Sequence, residues 1–340
     1  MIKRRKTRQV RVGDVRIGGN APISIQSMAK IETSRVKDVV RQIKSLEKCG
    51  CEIIRVAVKT REDADAVGQI KRKINIPIVA DIHFDHRLAL AAIKSGADKI
   101  RLNPGNIKKR DEIARVVNAA KRAGIPIRIG VNSGSTSGNF IKSAMDYAAL
   151  FEDLDFHDII ISLKGSDVAQ TVEAYRAISG ACDYPLHLGV TASGPYNEGI
   201  VKSSIGIGAL LLDGIGDTVR VSLTAEPEEE VIAAKRILGC IGSRKFGPNI
   251  LSCPTCGRCQ VDLVDIVNKF DNAIRSTPYA VRKSPLTIAI MGCEVNGPGE
   301  AREADIGIAF GKGSGMLFKK GKAIKKVSAK NAVRELIKNI

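Results

Sequence analysis

Short apolar runs alternate with amphipathic stretches along the first two-thirds of the chain. Eight runs rich in Ile and Val, at residues 22–28, 52–58, 77–83, 98–103, 126–132, 157–164, 185–191 and 217–223, have the length and β-branched character of buried strands. Between them lie stretches such as RVKDVVRQIKSLEKCG, DHRLALAAIKSG and RDEIARVVNAAKRAG, whose apolar positions recur at helical spacing and which close on Gly, a frequent helix C-cap. Eight such βα units in succession predict a closed (β/α)8 TIM barrel. An open doubly wound sheet would carry a Gly-rich dinucleotide loop after its first strand, and SIQSMAKIETS is no such loop. Ahead of the series, VRVGDVRIGG predicts a β-hairpin turning at Gly13-Asp14 and plugging the barrel floor.

The βα rhythm stops at GSRKFGPN, residues 242–249, whose Gly, Pro and Asn mark a linker. The expected division is a barrel over 1–241 and a smaller α+β unit over 242–340. The second unit should hold a helix in VDLVDIVNKFDNAIRS, a strand in LTIAIMG, a hairpin in GMLFKKGKAIKKV and a C-terminal helix.

Composition adds limits. The chain is 44% hydrophobic and 26% charged, and no uninterrupted apolar run reaches the ~18 residues of a membrane span. The basic start, MIKRRKTRQVRVGD, is followed by no apolar core or cleavage site, so a cytoplasmic location is expected. The net charge of +18 is concentrated at the two ends: residues 1–16 hold seven Lys/Arg against one Asp, and residues 311–340 hold nine against one Glu. Such runs read as solvated basic surface or as a dock for an acidic protein. With 4% aromatics and no Trp, a nucleic-acid binder lacks its stacking platforms. Eight cysteines in 340 residues are too few for a disulfide scaffold, and Cys49, Cys51, Cys182 and Cys240 read as small buried hydrophobes.

The candidate chemistry sits at strand C-terminal ends, where barrel active sites form. Arg55, Asp81, His83, Arg101, Asn103, Arg128, Asn132, Lys164, His187, Arg220 and Ser222 fall inside or just after apolar runs. Several like charges converging on one mouth are costly without an anion, so the pattern predicts a phosphate or diphosphate substrate. His83 and His187 are candidate phosphate donors or acid/base groups, and Lys164 is the lysine to consider for a Schiff base. The Ser/Gly-rich NSGSTSGNF, residues 132–140, is either a lid or a plain connector.

The second unit carries SCPTCGRCQ, with Cys253, Cys256 and Cys259, and a distant Cys293. A zinc ribbon needs paired ligands, yet Cys293 stands alone and no His follows residue 187. An iron–sulfur cluster accepts Cys-x-x-Cys plus a distant Cys. Spacing leaves two ligand sets open: all four thiolates, or Glu300 in the expected turn NGPGE replacing Cys259.

The combination SCPTCGR, GCEVNGPGEAREADIGIA, ADIHFDHR, RLNPGN, PIRIGVN, PLHLGVT and GIGDTVRVSL resembles the 4-hydroxy-3-methylbut-2-enyl-diphosphate synthase family, in its two-domain bacterial form, over essentially the whole chain. The resemblance implies a barrel followed by a [4Fe–4S] domain. It implies reductive opening and dehydration of 2-C-methyl-D-erythritol 2,4-cyclodiphosphate in isoprenoid biosynthesis, with electrons from flavodoxin or ferredoxin. Carried over, the cluster ligands are Cys253, Cys256, Cys293 and Glu300. The diphosphate crown is Arg55, His83, Arg101, Asn103, Arg128, Asn132, Lys164, Arg220 and Ser222, with His83 and Lys164 also candidates for catalysis. The family pairs its chains as head-to-tail homodimers. Two positions depart from the pattern. Ala192, in TASGPYNEG, stands where the family has a mouth Glu, so either Glu198 swings in from the following loop or a proton-handling role is lost and activity is reduced or altered, up to a different substrate. Cys259 stands where the family has a non-cysteine residue, which makes it a bystander. The competing classes are a divergent phosphate-binding barrel enzyme and a zinc-containing nucleic-acid binder.

Overall fold

The eight apolar runs pair in parallel, as their alternation with helices requires. The computed structural model describes residues 2–107, 109–132, 140–165, 167–191, 193–276 and 286–340. In the first unit, the hairpin β1 (Val10–Val12) and β2 (Val15–Ile17) precedes β3 (Ser24–Met28), β4 (Ile53–Val58), β5 (Ile78–Ile82), β6 (Lys99–Leu102), β7 (Ile127–Asn132), β8 (Ile159–Lys164), β9 (His187–Leu188) and β10 (Thr218–Val219). The strand order is β8-β7-β6-β5-β4-β3-β10-β9, and a parallel bridge between Ile161 and Leu186 closes the ring. Helices α1 (Val36–Cys49), α2 (Arg61–Lys71), α3 (His86–Lys94), α4 (Arg110–Ala123), α5 (Phe140–Glu152), α6 (Val168–Ala181), α7 (Tyr196–Leu212) and α8 (Pro227–Cys240) follow β3 to β10 in turn.

Local signals explain the helix ends. Helix α1 buries Val39, Val40, Ile43 and Leu46 on one stripe and stops at Gly50, whose φ of 98° only glycine adopts freely. Helix α2 starts at a reciprocal cap in which Thr60 and Asp63 each accept the other's backbone N–H. The hairpin does plug the floor: Val10, Val12 and Ile17 pack on Ile53, Val79 and Ile160.

The basic N-terminus is bound to that floor. Arg4 pairs with Asp217 at 2.9 Å and Arg8 with Asp183 at 2.7 Å, while Arg5 donates to the carbonyls of Ser179, Cys182 and Tyr184. Of the cysteines expected to be buried, Cys51 is, with burial pushing its thiol up to about 12. Cys49 and Cys182 are half-buried, and Cys240, the last residue of α8, is exposed, which corrects the expectation there.

The compact units meet between Arg244 and Lys245, three residues later than the expected 241/242 division. The shift has a cause: the Arg244 guanidinium donates to Ile23 O and to both carboxylate oxygens of Glu52, fastening the first linker residues to the barrel. The second unit is a five-stranded sheet, β11 (Asn249–Ser252), β12 (Thr287–Met291), β13 (Ile306–Phe310), β14 (Ser314–Lys319) and β15 (Lys322–Ser328), in that spatial order. Helices α9 (Leu263–Ser276) and α11 (Ala332–Asn339) cover one face, where Ile288 and Ile290 meet Phe270 and Leu336. Helix α10 (Gly297–Glu303) covers the other, where Ala289 and Met291 meet Ala301. The expected turn at NGPGE is the start of this helix, because Pro298 in its first turn presets helical φ and gives up no needed N–H. Strands β11 and β13 were not among the sequence expectations.

Candidate active site

Alternation along each strand turns every second side chain into the barrel, and the uppermost of these line one cavity of about 350 Å³. Its walls are Met28, Arg55, Asp81, His83, Arg101, Arg128, Asn132, Ser162, Lys164, Thr191, Arg220 and Ser222. Eight of the nine residues expected to form the crown are therefore together. Asn103 is the exception. It is buried just past β6, where its Oδ1 accepts the Gly105 N–H at 3.1 Å and shapes the turn.

Two carboxylates organise this mouth. Asp81 lies 3.6 Å from Arg55 Nε, 3.2 Å from Arg101 NH1 and 3.6 Å from His83 Nε2. Burial alone would raise its pKa, but Arg55, a hydrogen bond from His83, Arg101 and Arg128 outweigh burial and hold it well below the usual carboxylate range. Glu230, reaching in from α8, accepts from Arg220 NH2 at 3.5 Å, from Lys30 Nζ at 3.1 Å and from the Leu223 N–H. Arg55 also donates to Met28 Sδ at 3.0 Å. Arg101 lies across β7 and donates to Gly130 O; a Cβ at Gly130 would stand 2.5 Å from Arg101 Nε, so this strand position must be glycine.

The remaining cations are under-compensated. Arg128 is 1% exposed, its Nε and NH1 find no acceptor among the described residues, and burial with Arg55 and Arg101 nearby disfavours its charge. Burial also pushes Arg220 down to about 10, with Arg55 adding to the effect and Glu230 opposing it. Lys164, half-buried at the rim, is pushed down by desolvation and by Arg220, Arg55, Arg128 and Arg101. An arginine in a protein keeps its proton, so the cost remains as repulsion awaiting an anion.

Sequence reasoning missed Glu230, which sits in the acidic run EPEEEV and looks like any helix first turn. It also missed Met28, Ser162 and Thr191, and Lys99, a fully buried amine whose Nζ lies 3.5 Å from Gln26 Oε1 deep in the barrel. The reverse correction is His187: it does not line the mouth but is buried on β9, with neither ring nitrogen partnered among the described residues. Glu198 is not at the mouth either. It is exposed in the first turn of α7, where the helix dipole favours a carboxylate. Ala192 and residues 133–139 of the expected lid lie outside the described residues.

Burial, followed by Arg128, Lys99, Lys164 and Arg55, pushes the His187 imidazole well below its usual range. The unfolded chain therefore binds the extra proton once pH drops below about 6.5, and folding stability falls with pH from there. Urea titrations between pH 7.5 and 5 should show this loss, at up to about 1.4 kcal/mol per pH unit. His187→Gln should flatten it, and an unchanged slope would exclude His187 as the source.

In the second unit, parallel pairing of Ser252 with Ile290 brings the residues after β11 and β12 to one end of the sheet. Cys253 Sγ accepts the Gly292 N–H at 3.3 Å, immediately before Cys293. The Cys293 thiolate is favoured by the backbone N–H groups of Val295 and Asn296. Cys256 is exposed, and so is Glu300 on α10. Cys259 differs: its thiol donates to Val261 O at 3.3 Å, and it packs against the sheet core over Gly292, where a Cβ would stand 2.4 Å from its sulfur. Among the described residues no three His, Cys, Asp or Glu side chains close into a tight metal-binding group. Cys253 and Cys293 follow β11 and β12 at one sheet end, with the Cys259 sulfur beside that of Cys253 over Gly292, and these donor types fit a thiolate-bound iron–sulfur cluster. Among the described residues no helix is long and apolar enough to cross a membrane.

Residues 7–235 match the GcpE TIM-barrel domain and residues 249–340 the GcpE protein C-terminal domain. The chain is 52% identical to the 4-hydroxy-3-methylbut-2-en-1-yl diphosphate synthase (flavodoxin) of Thermodesulfovibrio yellowstonii, covering 100% of this chain and 99% of that protein. It is 50% identical to the protein of the same name from Ruminiclostridium cellulolyticum, covering 100% and 98%. Among solved structures, Yersinia pestis dihydropteroate synthase superposes with a TM-score of 0.53 at 9% identity over 69% of this chain and 99% of its own. The N-acetylneuraminic acid synthetase of Leptospira borgpetersenii does so with 0.51 at 13% over 80% and 99%. These two share the barrel fold and nothing finer.

Proposed function

The chain belongs to the GcpE family, and from that premise we propose that it converts 2-C-methyl-D-erythritol 2,4-cyclodiphosphate to 4-hydroxy-3-methylbut-2-enyl diphosphate. The observation that supports this reading most is the charge balance of the mouth. Among the described residues Arg55, Arg101, Arg128, Lys164 and Arg220 line the cavity with Asp81 as its one lining carboxylate, and Glu230 behind it is shared by Arg220 and Lys30, so an excess of positive charge is left for a diphosphate. The full-length relatives favour neither a divergent substrate nor a zinc-containing nucleic-acid binder.

Substrate and product define the task. The C2–O bond of the cyclic diphosphate breaks, two electrons enter, and one hydroxyl leaves as water. The diphosphate stays bound at its other carbon while its freed end gains charge. Arg128, Arg220 and Lys164, held in place before substrate arrives, stabilise that charge as it develops. Arg55 and Arg101 are oriented by Asp81, so they present fixed N–H donors at little reorganisation cost. Ser222, Asn132 and Ser162 add neutral donors to the same wall. His83, 48% exposed on its side chain and tied to Asp81 through Nε2, is the rim group placed to carry a proton for the departing water. Lys164, whose proton is loosened by its neighbours, is the second.

Cys253, Cys256, Cys293 and Glu300 would hold a [4Fe–4S] cluster, which would supply low-potential electrons one at a time. The protein works in the cytoplasm as a homodimer and takes its electrons from flavodoxin or ferredoxin.

The test is anaerobic purification with iron and sulfide analysis, followed by turnover of the cyclic diphosphate with a chemical reductant. Zinc without sulfide would defeat the reading. Cys259→Ala should keep the iron content of the parent, whereas Glu300→Ala should keep most iron and lose turnover by about tenfold or more. The opposite pattern would assign the fourth position to Cys259.

A further inference from the structure

We propose that the lysines gathered at one end of the second sheet, Lys312, Lys326 and Lys330 around Met316, form the docking face for an acidic electron-carrier protein. The inference rests on the reductive reaction proposed above.

The sequence offers two basic ends as docks, and the structure separates them. Three of the N-terminal arginines are engaged by the barrel floor, Arg4 and Arg8 with aspartate partners and Arg5 capping three carbonyls, while Lys3, Lys6 and Arg16 stay exposed on the barrel unit, which carries none of the candidate cluster ligands. The C-terminal lysines are not consumed. The one acid after residue 310, Glu335, is taken by Lys325 at 2.6 Å, and Lys319 donates to Asn339 O. Lys312, Lys326 and Lys330 are exposed and have no carboxylate partner among the described residues.

Strand direction places them. Ser314, which opens β14, pairs with Ser328, which closes β15, so the turn before β14 and the end of β15 share one edge of the sheet. Ala329 N donates to Gly313 O, which holds the segment bearing Lys330 against that turn. This is the end where Cys253 follows β11 and Cys293 follows β12. A Cβ on Gly311 would lie 3.2 Å from Glu294 Oε2, so the turn carrying Lys312 abuts the neighbour of Cys293.

The face is also the right one. Met316 pairs with Lys326 and alternates with Phe318, whose face packs on Met291, Ala301 and Cys253. Met316 is 38% exposed, an apolar centre among cations. Lysines on an edge strand commonly do no more than block sheet-to-sheet pairing. That role does not call for Lys312 and Lys330, which lie off the strand. Cations around an exposed apolar centre, near the candidate ligands, fit a partner with an acidic rim, whose encounter they would steer. Among the described residues this edge presents no exposed aromatic platform for nucleic acid.

The experiment uses the anaerobically purified full-length holoprotein and the triple variant Lys312→Glu/Lys326→Glu/Lys330→Glu. With reduced flavodoxin at low ionic strength, its KM for the carrier should rise on the order of tenfold, and added salt should shrink the difference. Turnover with dithionite as reductant should be unchanged. An unchanged KM, or equal losses with both reductants, would overturn the proposal. So would a variant that releases duplex DNA bound by the parent while keeping its flavodoxin KM. If the parent turns over no cyclic diphosphate even with dithionite, the functional reading fails, and docking is read from calorimetric binding of oxidised flavodoxin. Weaker binding by the variant then supports the face, and equal binding removes it.

Discussion

Arg128→Met should make the ligand-free protein more stable by about 1–4 kcal/mol and its diphosphate turnover slower by about two orders of magnitude. The two effects have one cause. Arg128 is a fully interior charge whose Nε and NH1 have no acceptor and which has no carboxylate of its own among the described residues, because Asp81 is already engaged by Arg55 and Arg101. Methionine has similar length, no charge and flexible packing, so it fills the space without the desolvation cost. The substrate loses one charge-assisted donor in a dry site, where such a contact is worth a few kcal/mol in the transition state. Urea unfolding without ligand reads the first effect and kcat/KM the second. Inorganic diphosphate should then stabilise the parent more than the variant. A ligand-free variant less stable than the parent would show that Arg128 is structurally compensated, and the argument for an anion-dependent mouth would lose its main support.

Much of this site was legible before the fold. Alternating apolar runs located every barrel strand, and a charged residue inside such a run is visible because it breaks the pattern, as Arg55, Arg101, Arg128 and Arg220 do. Period-two alternation gives the face a residue points to but not its height in the barrel. His187 and Arg220 look alike in sequence, yet one is sealed below the mouth and the other lines it. Side chains that arrive from outside the strands leave no such trace. Glu230 reaches the mouth from α8, and nothing in EPEEEV distinguishes it from Glu228 or Glu229. In the second unit, β11 was hidden because it is four residues long and mostly exposed, without the alternation of a half-buried strand. Cys259 was ambiguous by spacing alone, and the approach of its sulfur to Gly292 beside the sheet core is a long-range packing result that spacing does not encode.

Asp81→Asn should act in the opposite direction, lowering the stability of the ligand-free protein by about 3–5 kcal/mol. Asparagine keeps the shape but removes the charge that Arg55, Arg101 and His83 share, leaving the arginines to repel one another in a buried site. The acid limb carries the same information. The folded carboxyl is held below its unfolded value of about 3.9, so its contribution is fully present above that pH and is lost as pH falls toward the folded value. The Asn variant should therefore lose less stability than the parent between pH 5 and 3. Inorganic diphosphate should rescue Asp81→Asn by more than it stabilises the parent, because it supplies the missing negative charge. Combining it with Arg128→Met should recover part of the loss, since the two residues act on one charge balance rather than independently. An Asn variant as stable as the parent, or strictly additive behaviour in the double variant, would refute a mouth whose cations are held in readiness for an anion.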